Sequence, residues 1–141
     1  MKNIWSVVCE KSIIDRDTNS ITLFNSLEEL DINYSGEGKI KKTKIKNIPI
    51  SFEIASLWFD ENIKNDRKFE IVLEILDPNN KIINKSVQEC VIEKGKKRLR
   101  IIAKLNGFSI VGSGLYKIIV KYKYGQTIKT ASEIPLDVKI N

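Results

Sequence analysis

Few residues in this chain are equipped to do chemistry. There is no histidine, so the usual general base, the usual zinc ligand and the usual near-neutral switch are all missing. The best-placed acids are Glu70 and Glu74, on the same face of an alternating run. They stand roughly 13 Å apart along a strand, farther than the roughly 5–9.5 Å of glycosidase acid pairs. Cross-strand pairing with Lys117, Lys121 or Arg100 is their expected use. Asp15 and Asp17 flank a turn, with Arg16 between them arguing against calcium. Glu28, Glu29 and Asp31 form an acidic patch of equally low specificity.

Gly112-Ser113-Gly114 resembles a fragment of a phosphate loop, but no lysine-serine pair follows and the next segment reads as a strand. Gly114-Leu115-Tyr116 reads better as the start of a sandwich strand, with a tyrosine near a corner hydrogen-bonding backbone. Cys9 and Cys90 lie in apolar strand-like runs. Two reduced, partly buried thiols are expected, with a disulfide between sheets as the alternative. A nucleophilic role lacks an activating base, and two cysteines cannot by themselves form a zinc site.

Positive charge is the feature with partner potential. The chain carries 24 Lys plus Arg against 18 Asp plus Glu, a net +6. Residues 37–46 hold Lys39, Lys41, Lys42, Lys44 and Lys46 against Glu37, and residues 93–100 hold Lys94, Lys96, Lys97, Arg98 and Arg100 against Glu93. Each segment is +4, so the rest of the chain sums to −2. These ten residues are the candidate polyanion-binding set, forming one face only if the segments meet in space. Aromatics are sparse around them, with Tyr34 alone near the first cluster, and no RNA-binding sheet signature is present. A solvated loop that protects a sheet edge is the plainer use of the same lysines. Part of the basic balance also reflects a bias toward Ile, Lys and Asn, 24, 20 and 12 residues, against three Ala.

The elements that must position these groups are strands. Ile4–Ile14, a turn over 15–19 and Ser20–Asn25 predict a hairpin. Ser26-Leu27-Glu28-Glu29 has capping-box spacing, so one helical turn could start at Ser26, although Leu30 and Ile32 could equally continue a sheet. Residues 33–48 read as a lysine-rich loop, followed by alternation of Ile50, Phe52, Ile54, Ser56 and Trp58 on one face. Phe69, Ile71, Leu73 and Ile75 mark the clearest strand, closed by the turn Asp77-Pro78-Asn79-Asn80. Lys81–Glu93 returns, Gly95 turns, and Arg98–Leu105 follows with Leu99, Ile101, Ala103 and Leu105 inward. Asn106–Gly114 reads as a glycine-rich loop, and Tyr116, Ile118, Val120 and Tyr122 face one way in the next strand. Thr127–Ile140 is the last strand, with Pro135 implying an edge or a bulge.

The 141 residues suit one domain spanning 1–141. The apolar run Ile4–Cys9 is too short for a signal peptide and no run approaches a membrane span, so a soluble cytoplasmic chain is expected. The pattern predicts an all-β, antiparallel two-sheet sandwich of about seven to nine strands, immunoglobulin-like, with a small barrel as the alternative.

Several ordered phrases resemble one family: Val8-Cys9-Glu10, Ile14-Asp15, Asn19 and Ser20 to Asn25, then Leu105-Asn106-Gly107-Phe108, Gly114-Leu115-Tyr116 and Ile134-Pro135-Leu136. They are similar to an uncharacterised bacterial family of small single-domain β-sandwich proteins, some found near phage-derived genes. The resemblance covers most of the chain except the lysine segment at 37–46, and implies a sandwich but no activity, cofactor or catalytic residue. The functional expectation is a non-enzymatic binding or interaction module without cofactor or metal, meeting a protein or a second copy through loops or an edge strand. The alternative is polyanion or nucleic-acid binding through the two basic segments.

Overall fold

The computed structural model describes residues 1–33 and 46–141. Nine strands lie among the described residues: β1 (Lys2–Ile14), β2 (Ile21–Ser26), β3 (Glu29–Ile32), β4 (Lys46–Phe59), β5 (Arg67–Leu76), β6 (Ile82–Ile92), β7 (Arg98–Ile110), β8 (Gly114–Tyr124) and β9 (Thr127–Ile140). They form two sheets packed face to face, a β-sandwich. One is four-stranded, in the order β2-β1-β4-β7, and the other is five-stranded, in the order β3-β9-β8-β5-β6.

Alternation puts every second side chain into the space between the sheets. Phe52, Ile54 and Trp58 enter from β4, Phe69, Ile71, Leu73 and Ile75 from β5, and Tyr116, Ile118 and Val120 from β8. On β7, Ile101 is buried, while Leu99, Ala103 and Leu105 pack against the core from the same face. Phe108 stacks edge-on to Phe52, with ring centroids 5.7 Å apart, and lies 5.3 Å from Tyr116. Trp58, Phe69 and Tyr122 fill the other end.

Four expectations are corrected. No helical turn starts at Ser26, because Leu27 donates its N–H to the Val8 carbonyl and the chain crosses to the other sheet. There Glu29–Ile32 pairs with β9, and this pairing is parallel while all the others are antiparallel. The loop assigned to 106–114 is mostly strand: β7 runs on to Ile110, and the register slips between Ile48 and Ser51 opposite Gly107. That slip lets Phe108 and Ile110 point inward as Leu105 does. The span given to the lysine loop is also too long, since residues 46–48 already pair with β7. Pro135 sits where the sequence asks for an edge: it pairs with Lys117 on β8, and β3 reaches only 137–140 on the other side.

The β1–β2 hairpin leaves the plane of its sheet. β1 follows β4 as far as Cys9 opposite Glu53. Beyond that point Ser12 gives its N–H and its hydroxyl to the Glu53 carboxylate. Farther on, Asn19 meets Arg100 on β7. A straight hairpin would have run the other way, since Arg100 pairs with Leu57. The hairpin therefore bends and crosses the outer face of β4 and β7, which explains why Cys9, Glu53 and Ala55 are buried on that outward face.

Candidate functional site

The basic segment at 94–100 is a turn with a fixed backbone. Gly95 takes the left-handed conformation, φ 79°, that closes it. Four hydrogen bonds then hold it. Lys94 donates its N–H to Asp66 Oδ1 at 2.8 Å and Gly95 donates to the Ile63 carbonyl at 3.1 Å. Lys96 donates to the Glu93 carbonyl at 3.0 Å, and the Lys97 carbonyl accepts from Asp60 at 3.0 Å.

Facing it is the tip of the β1–β2 hairpin. Asp15 accepts the N–H groups of Asp17 at 2.8 Å and Thr18 at 3.0 Å. The Thr18 and then the Asp17 N–H hold its carboxyl below the usual carboxylate range. Asp15 thus organises its own turn, and Asn19 adopts φ 55° at the tip. Arg100 donates to Asn19 Oδ1 at 3.2 Å and to the Asn19 carbonyl, which joins the hairpin tip to β7.

Between the two turns lies a cavity of about 800 Å³. Thr18, Asn19 and Ser20 line one side; Lys96, Lys97, Arg98 and Arg100 line the other, with Ile14, Leu57 and Leu99 between them. Lys94, Lys96, Lys97 and Arg98 are exposed, and Arg100 is half-buried. Arg98 lies over the Phe59 ring, 5.6 Å from its centroid. None of these five cations makes a salt bridge to a carboxylate among the described residues.

Of the first basic segment, the described residues include only Lys46. Lys39, Lys41, Lys42 and Lys44 lie outside the described residues. The backbone of Lys46 is opposite Ile110, whereas Arg98 is opposite Phe59, at the other end of the same ladder. That separation is roughly 40 Å along the strands, so Lys46 and the 94–100 turn do not share a site.

The acids are committed to structure. Glu74, buried on the outer face of its sheet, meets Lys121 at 2.6 Å and Lys85 at 3.4 Å, and Glu70 meets Lys123 at 2.7 Å. Of the expected partners, Lys121 is found; Lys117 pairs with Glu133 instead and Arg100 with Asn19. Hydrogen bonding from Lys121, against an opposing cost of burial, holds the Glu74 carboxyl below its ordinary value. Cys9 and Cys90 are free, buried and in different sheets, and burial pushes both thiols up. Ser113 is a hydrogen-bond acceptor for the Ile140 N–H at 3.0 Å, so the Gly-Ser-Gly run serves the strand pair. Among the described residues, no group of three or more Cys, Asp or Glu is gathered to hold a metal.

The hairpin tip is what sequence reasoning missed. Its turn chemistry was visible, but nothing local placed Asn19 against a residue 81 positions away.

No protein-family model matches the chain, and no curated protein matches it. Among solved structures, the crystal structure of the C-terminal domain of wzt aligns over 67% of this chain and 69% of its own, at TM-score 0.41 and 11% identity. A similarity of that size transfers no function.

Proposed function

We propose that the protein is a non-enzymatic binding module that takes a polyanionic ligand in the basic cavity. The observation that carries this reading is the concentration of positive charge there: four cations that make no salt bridge among the described residues face one recess, on a backbone already held in place by the 60–66 segment. A pre-ordered turn spends little conformational entropy on binding, and unneutralised cations release counterions when an anion replaces them. Inorganic tripolyphosphate is a suitable probe, measured by calorimetry at low and high salt. Binding that weakens steeply with salt, and by at least about tenfold in Lys96→Glu/Lys97→Glu, is expected. Salt-insensitive binding, or none at low salt, would remove the reading.

A second reading gives the module a second copy of itself as partner. It is favoured by β6 and β7, which among the described residues each end their sheet with an unpaired edge and run along the same side of the sandwich. Val87 and Val91 on β6 are half exposed. Light scattering over a concentration series should then show a dimer that Val87→Lys dissolves; a monomer at every concentration would exclude it. Within the sandwich class, the backbone hydrogen bonds of Tyr116 support an immunoglobulin-like arrangement.

A further inference from the structure

We infer that the polyanion is a single-stranded nucleic acid lying lengthwise along β7, an assignment that rests on the anion-binding reading above. The outward residues of β7 are Arg98, Arg100, Ile102 and Lys104, opposite Phe59, Leu57, Ala55 and Glu53. Alternate residues of a strand are roughly 7 Å apart, so the row from Arg98 to Lys104 covers roughly 20 Å. A compact anion needs one end of such a row, whereas a chain of phosphates uses its length.

The shape agrees with the charge. The cavity between the turns shares Ile14 with a second recess of about 670 Å³, whose lining includes Ile102 and Lys104 on β7. In that recess Ser12 and Ile14 of the hairpin stand on one side and Ser86, Val87 and Gln88 of β6 on the other. The two recesses meet at Ile14, and β7 residues line both, with the Arg100–Asn19 contact beside the first. Lys104 is mostly exposed and 3.9 Å from Glu53, so its ammonium is able to turn toward a ligand. Aliphatic side chains interleave the cations, and the exposed Arg98 guanidinium over Phe59 offers a plane on which a base can stack.

The test is fluorescence anisotropy with labelled oligo(dT) of increasing length, a duplex of matched length, and tripolyphosphate as competitor. Affinity should rise with length and level off at roughly four to six nucleotides. The log–log salt slope should be about −2 to −3, from roughly 0.7 per phosphate neutralised by three or four cations. Lys104→Glu should weaken oligo(dT) more than tripolyphosphate, and Lys104→Gln, which removes the charge without reversing it, should do so to a smaller degree. Tripolyphosphate binding without any gain from length would overturn the nucleic-acid assignment and leave the anion site standing. A duplex bound as tightly as the single strand would also overturn it. Failure of both probes would remove the site itself.

Discussion

At the scale of single residues, charge and hydrogen bonding separate the side chains that hold the fold from those left available for a ligand. Tyr116 is fully buried, yet its hydroxyl is satisfied twice: it accepts from the Val111 N–H at 2.9 Å and donates to the Gly112 carbonyl at 2.9 Å. Tyr116→Phe leaves both backbone groups without this partner at a half-buried corner and should cost about 1 kcal/mol or more in denaturant unfolding. Glu74 is the corresponding charged case. Its folded carboxyl titrates below its unfolded value, so its contribution is present above the ordinary carboxylate range and is lost as pH falls through the folded value. Glu74→Gln should therefore be less stable than the parent at neutral pH, and the gap should close as unfolding is followed from about pH 5 downward. A gap that stays constant with pH would mean that packing, not charge, is what Glu74 supplies.

At the scale of elements, the glycines of the β7–β8 connection have unequal jobs. Gly114 has φ 146°, and a Cβ there would sit 2.7 Å from Pro78 Cγ in the β5–β6 turn. Gly112 has the same φ with open space around it. Gly114→Ala should cost about 1–3 kcal/mol and Gly112→Ala less, read as midpoint shifts in denaturant. Equal shifts would show that backbone strain alone, not the close approach of Pro78, sets the requirement. The crossing hairpin is the other element that matters: Glu53 accepts from Ser12, and Arg100 donates to Asn19. The same Arg100 lines the cavity, so hairpin position and cavity shape are linked through one side chain.

At the scale of the whole molecule, the backbone of Lys46 and the 94–100 turn belong to opposite ends of the β4–β7 ladder. Charges separated by far more than a Debye length of about 8–10 Å barely interact in salt solution, so Lys46→Glu, at the far end of the ladder, should leave tripolyphosphate affinity within about twofold at physiological salt. A loss comparable to that of Lys96→Glu/Lys97→Glu would instead place both ends of β4 in one ligand path.

What was legible in the sequence follows from what is local. A strand's inward face repeats every second residue, so the core faces of β4, β5, β7 and β8 were readable from Ile50, Phe69, Leu99 and Tyr116 onward, as was the two-sheet class. Turn residues such as Asp77-Pro78 and Gly95 likewise carry their geometry with them. The parallel β3, the continuation of β7 past Gly107 and the outward path of the hairpin were not readable, because each depends on partners far along the chain. Ser26-Leu27-Glu28-Glu29 has the spacing of a helix start, but the backbone of β9 offers Asp137–Ile140 as a ladder, and that tertiary pairing outweighs a weak local preference. The cavity is the same kind of object. Its lysines and arginines are contiguous in sequence, but the residues that make a recess of them, Thr18, Asn19 and Ser20, arrive only when a hairpin has folded over a sheet.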